Sequence, residues 1–77
     1  MLMTQELSAL QQAILDVLRG STVPMTRSEI ASALGRPNRL VPHDIDMLEG
    51  LVEMGLVLKS EDIIGTVKTV MKYRAID

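Results

Sequence analysis

The 77-residue chain contains no cysteine. Disulfide staples, thiolate zinc sites and thiol nucleophiles are therefore excluded. Phe and Trp are absent too, and Tyr73 is the only aromatic residue. With 47% hydrophobic residues, the core must be built from Leu, Ile, Val, Met and Ala. The six methionines read as adaptable core filler, or else as a Met-rich binding surface. No apolar run approaches the ~18 residues of a membrane span. The Met1-Leu2-Met3 start has neither a charged leader segment nor a cleavage site. A soluble, cytoplasmic protein is expected. An excess of positive charge is also lacking: the net charge is −2. Neutralising phosphates releases counterions, so nucleic-acid-binding domains are commonly basic. The balance here argues against strong non-specific DNA binding.

Catalytic patterns are missing as well. There is no nucleophile–base pair, no phosphate-binding glycine loop and no dedicated acid pair, so no enzyme and no cofactor are expected. His43 is the only histidine, and without cysteine it makes a poor zinc site even beside Asp44 and Asp46. No metal site is expected.

The length allows one domain, residues 1–77. Leu7, Leu10, Ile14 and either Val17 or Leu18 recur at helical spacing, so a first helix is predicted over 4–19, with Thr4 as N-cap and Gly20 just past its end. Ser21 to Met25 suits a connector holding a short edge strand. Thr26-Arg27-Ser28-Glu29 is a capping box opening a second helix over 26–34, which Gly35 stops. A turn, Arg36 to Val41, leads to Pro42, which fits the first position of a third helix. That helix is predicted over 42–54, with Ile45, Leu48, Leu51 and Val52 as its apolar stripe, and Gly55 ends it. The period then changes to alternation. Strands are predicted over 56–59 and 66–75, joined by a hairpin loop from Ser60 to Gly65. On the second strand, Val67, Thr69, Met71, Tyr73 and Ala75 point one way and Lys68, Val70, Lys72 and Arg74 the other. The fold class is α+β, mostly α: three helices and a C-terminal β-hairpin.

This order resembles the winged helix-turn-helix family of small prokaryotic transcription regulators. The matching residues are Glu29-Ile30-Ala31-Ser32-Ala33-Leu34-Gly35, then Ile45, Leu48, Leu51 and Met54-Gly55-Leu56-Val57, then Tyr73-Arg74-Ala75. The resemblance implies that the third helix reads double-stranded DNA and that the hairpin wing touches phosphate. Two features depart from the pattern. With Ile45, Leu48 and Val52 taken as the buried direction, the opposite face carries His43, Asp46, Met47, Gly50, Glu53 and Met54, and no Lys or Arg occurs between Leu40 and Lys59. The wing loop is acidic and apolar.

On the DNA reading, the contacting residues are Arg27, Arg36, Asn38, Arg39, His43, Asp46, Met47, Lys68, Lys72 and Arg74. The cations form a phosphate-contacting rim, and Asp46 accepts from cytosine. The competing reading leaves these as solvated charges, with Asp44 serving only to offset the helix dipole. It assigns Asp46, Glu49 and Glu53 to a solvated or partner-facing helix side. The alternative function is then a protein-interaction module that docks a partner on Met47, Gly50, Glu53 and Met54. A homodimer is expected, through Leu2, Met3, Leu7 and Leu10 with Met71 or Val70.

Overall fold

The computed structural model describes residues 7–65 and 68–76. Three helices, α1 (Ala9–Arg19), α2 (Arg27–Ala33) and α3 (Pro42–Glu53), pack on one face of a three-stranded antiparallel sheet. Its strands are β1 (Met25–Thr26), β2 (Val57–Ile64) and β3 (Lys68–Ala75), in the order β1-β3-β2.

The first helix begins later than predicted. Ser8 caps it, its hydroxyl accepting from the Gln11 amide while the Gln11 side chain takes the Ser8 amide. Ser8-x-x-Gln11 is thus a second capping box that the sequence reading passed over. Thr4, the predicted cap, lies outside the described residues, as do Leu2 and Met3. Ile14, Leu15 and Leu18 are buried, and Val17 is half-buried. Gly20 closes the helix with φ −77°, in the right-handed region, so its glycine character is not used there.

The α2 capping box forms as predicted: Thr26 Oγ1 accepts from the Glu29 amide, and Glu29 Oε1 takes the Thr26 amide. Gly35 then turns the chain with φ +82°, a conformation that an L side chain resists. The predicted edge strand is β1, paired to β3 through Met25 and Thr26.

The hairpin differs most from expectation. Strand β2 does not end at Lys59. It runs on to Ile64, in register with β3 from Val57 opposite Ala75 to Ile64 opposite Lys68. Ser60-Glu61-Asp62 therefore forms the outer half of a strand, not a loop; the turn begins at Gly65 (φ +71°). Thr66 and Val67, predicted to open the second strand, lie outside the described residues. The result is a two-stranded ribbon, and the molecule measures 51 × 24 × 23 Å.

The core is aliphatic, with one aromatic. Ile14, Leu15, Leu18, Ile30, Ala31, Leu40, Leu48, Leu51, Val57 and Ala75 surround Tyr73, which is fully buried. Tyr73, Ala75 and Met71 face the helices as the alternation predicted, and Lys68 and Arg74 lie on the outer face.

Candidate functional site

The rotation of α3 decides which residues it can offer. Its buried line is Asp44, Leu48 and Leu51. Of the predicted stripe Ile45, Leu48, Leu51 and Val52, Leu48 and Leu51 are buried, while Ile45 and Val52, which with Leu48 set the expected buried direction, are half-buried against the core. At 100° per residue the helix is turned by about 60° from expectation. The cause is Asp44. Asp44 was expected only to offset the helix dipole, but it is 0% exposed. It holds Arg36 through two bonds, Arg36 Nε to Oδ2 at 2.8 Å and Arg36 Nη2 to Oδ1 at 2.7 Å, and takes the Val41 amide at 3.0 Å. Those bonds favour the charged carboxylate, and with the Arg36 hydrogen bond the largest cause its pKa falls to about 2. One side chain thus caps α3 and clamps the two ends of the turn together.

Several candidate residues are engaged within the molecule. Arg36 is committed to Asp44. Arg27 donates Nε to the Tyr73 hydroxyl at 3.0 Å and Nη2 to Glu49 Oε2 at 3.1 Å. The Tyr73 hydroxyl donates to the same Glu49 oxygen at 2.8 Å, and Lys59 Nζ donates to the other at 3.1 Å. Glu49, expected to be solvated or to face a partner, is the hub that ties α2, α3, β2 and β3 together. Burial pushes its pKa up, but the three donors outweigh this and hold it below the usual range. Burial, and then the bond to Glu49, raises the Tyr73 phenol. Lys72 pairs with Asp62 along the ribbon at 2.8 Å.

Met47 and Gly50 were placed on the outward face, but both are half-buried at the α1 contact. Gln11 Nε2 donates to the Met47 carbonyl at 3.4 Å, and Ser8 Oγ approaches Met47 Sδ at 3.4 Å. A Cβ on Gly50 would meet Gln11 Nε2 at 3.0 Å, so glycine lets the two helices approach. Met54 also packs on the core. The apolar patch required for partner docking at Met47, Gly50 and Met54 is therefore largely used inside the molecule. Leu7, Leu10 and Met71, expected at a dimer interface, are likewise half-buried against the core.

What remains outward is compact. Pro37, Asn38 and Arg39 in the turn, Val41 before the helix, and Pro42, His43 and Asp46 in its first half are all exposed. Glu53 continues this face toward the helix end. Arg39, Lys68 and Arg74 are exposed and engage no carboxylate among the described residues. They do not form one rim. Arg39 lies in the turn, Lys68 at the far end of the ribbon, and Arg74 on the sheet face turned away from the helices.

Two open grooves are present. One is lined by Leu18, Arg19, Ser21, Thr22, Arg74 and Ala75; the other lies between Thr26–Ser28 and Thr69–Met71. Neither gathers the convergent buried polar groups of a small-molecule site. Among the described residues, no three His, Asp or Glu side chains are grouped to hold a metal, and no helix is long and apolar enough to cross a membrane. No family model, curated protein or solved structure matches the chain.

Asp44 and Glu49 are the residues that sequence reasoning undervalued. Asp44 had a signal: it stands at the third position of a helix opened by Pro42, where a carboxylate can reach back to the amide at the helix start. Glu49 had none, because its partners come from three other elements.

Proposed function

We propose that this chain is a winged helix-turn-helix DNA-binding domain of a transcription regulator, with α3 as the helix presented to the major groove and the β2–β3 ribbon as the wing. The observation that carries this reading is the exposed strip formed by the turn before α3 and the first half of that helix: Asn38, Arg39, His43 and Asp46. Recognition helices contact base edges with their N-terminal residues, and these four side chains supply the needed chemistry. Asn38 can make a bidentate contact to adenine and Asp46 can accept from cytosine, while Arg39 in the turn contacts the flanking phosphate. The Arg36–Asp44 clamp fixes the turn that carries Asn38 and Arg39, so that Arg36 acts by positioning. Lys68 at the ribbon end is the remaining phosphate contact.

So few free cations imply weak, salt-sensitive binding with a shallow slope, ~0.9 per phosphate contact. Arg39→Ala is expected to weaken binding to every duplex and to flatten that slope by ~0.9. Asp46→Asn with Glu53→Gln should strengthen non-specific binding by removing repulsive charge. Fluorescence anisotropy over a salt series measures both.

One observation favours a second reading, a protein-interaction module. Asp46 and Glu53 stand exposed on one side of α3 and engage no cation among the described residues. An acidic stripe of this kind complements a basic protein surface. On that reading the same double substitution abolishes partner capture and leaves DNA binding absent throughout.

A further inference from the structure

Among the described residues the ribbon has a free edge: in the order β1-β3-β2, strand β2 is hydrogen-bonded on one side only, along Val57–Ile64. Such an edge presents unpaired backbone N–H and C=O groups as a template for another strand, and proteins usually blunt it with charge. Strand β2 carries three charges, Lys59, Glu61 and Asp62. Their order is more specific than blunting requires.

We propose that β2 pairs antiparallel with β2 of a second copy of this chain, about a two-fold axis at Ser60, to form a continuous six-stranded sheet. Symmetry restricts the register. An axis relating adjacent antiparallel strands of one sheet stands perpendicular to it, so both copies show the same face and residues opposite each other must come from the same side of the strand. A register centred on Lys59 sets like charges opposite each other. Centring on Glu61 does the same. Centring on Ser60 places Lys59, whose ammonium also bonds Glu49 of its own copy, opposite Glu61 of the second copy, twice, and opposite charges directly across a strand pair are favourable. Asp62, paired with Lys72 of its own copy, then faces Leu58.

A separate observation supports the same register. Ile63 is the most exposed large hydrophobic residue in the described chain, at 76%. It lies on the sheet face that bears Val57, because the two alternate in step along β2. Centring on Ser60 sets Ile63 directly opposite Val57 of the second copy, where the ribbon meets the helical body. Ile63 is thereby carried from solvent to the margin of its partner's core. This pairing does not rest on DNA binding.

The chain has no cysteine, so a single substitution reports the axis. Ser60→Cys places two thiols opposite each other at the strand-pair spacing a disulfide can span. It is expected to cross-link under mild oxidation far faster than Ser32→Cys on the exposed side of α2. Sedimentation provides the second test. Wild type should shift from 8.5 kDa to twice that mass as concentration rises through the micromolar range. Lys59→Glu alone and Glu61→Lys alone each place like charges across the axis and should sediment as monomers. Mixed together, they should form a heterodimer, because both pairs between positions 59 and 61 are then opposite in sign. That rescue also shows that both variants are folded. A wild type that stays at 8.5 kDa across the range would overturn the proposal. So would a dimer in which both single variants persist, or equal cross-linking at the two cysteine positions.

Discussion

Asp44 is the residue on which the geometry of the candidate site depends. Its folded-state pKa of about 2 lies below the ordinary 3.8, so its contribution to stability is complete above the ordinary value. It is lost as the pH falls through about 2. Asp44→Asn cannot hold the guanidinium fork, and the expected cost at neutral pH is about 2 kcal/mol, in the range of hydrogen bonds to charged groups. Denaturant titrations at pH 7 and near pH 2 should show that difference and then its disappearance; parallel curves would contradict the assignment. Tyr73 provides an independent check. As the only aromatic residue it gives one phenolate signal. Burial and Glu49 raise its pKa, so ionisation should begin above that of a free phenol. A raised acid favours the fold below the ordinary tyrosine value, and that contribution is lost as the pH climbs through the folded value. Tyr73→Phe is expected to cost about 1 kcal/mol at neutral pH. A phenolate signal at the ordinary position would mean that the hub around Glu49 is open.

At the scale of elements, the helix starts are held by local chemistry that can be tested singly. Thr26→Ala removes an acceptor from the α2 cap and is expected to lower stability by ~1 kcal/mol; an unchanged denaturation midpoint would contradict the capping box. This kind of feature was legible in the sequence, because a cap and its partner lie three residues apart. So were the stop at Gly35, Pro42 at the start of α3, and the inward face of β3 through Tyr73 and Ala75. Three features were not legible. The rotation of α3 depends on a buried carboxylate whose partner is eight residues upstream, and a pattern of apolar residues cannot register it. Ser60-Glu61-Asp62 has the composition of a turn, yet its pairing with Met71, Val70 and Lys72 makes it strand, so tertiary context overrides local preference. Gly50 and Met47 were assigned outward for want of the α1 contact that Gln11 makes. The candidate site was legible in part: Asn38, Arg39, His43 and Asp46 stand exposed where the turn and α3 were expected, whereas Arg27, Arg36 and Lys72 are engaged within the molecule.

For the whole molecule, the proposed function is presentation of an exposed helix start beside a projecting ribbon. The charge balance sets the terms: the surface offers few free cations, so binding should be detectable only where screening is weak. The most direct measurement is fluorescence anisotropy of the protein with mixed-sequence duplexes at low salt, comparing wild type with Arg39→Ala and with the Asp46→Asn, Glu53→Gln double variant. Wild type is expected to bind weakly, the double variant more tightly, and Arg39→Ala less tightly with a flatter salt dependence. If wild type and the double variant both fail to bind at low salt, DNA is not the partner of this fold.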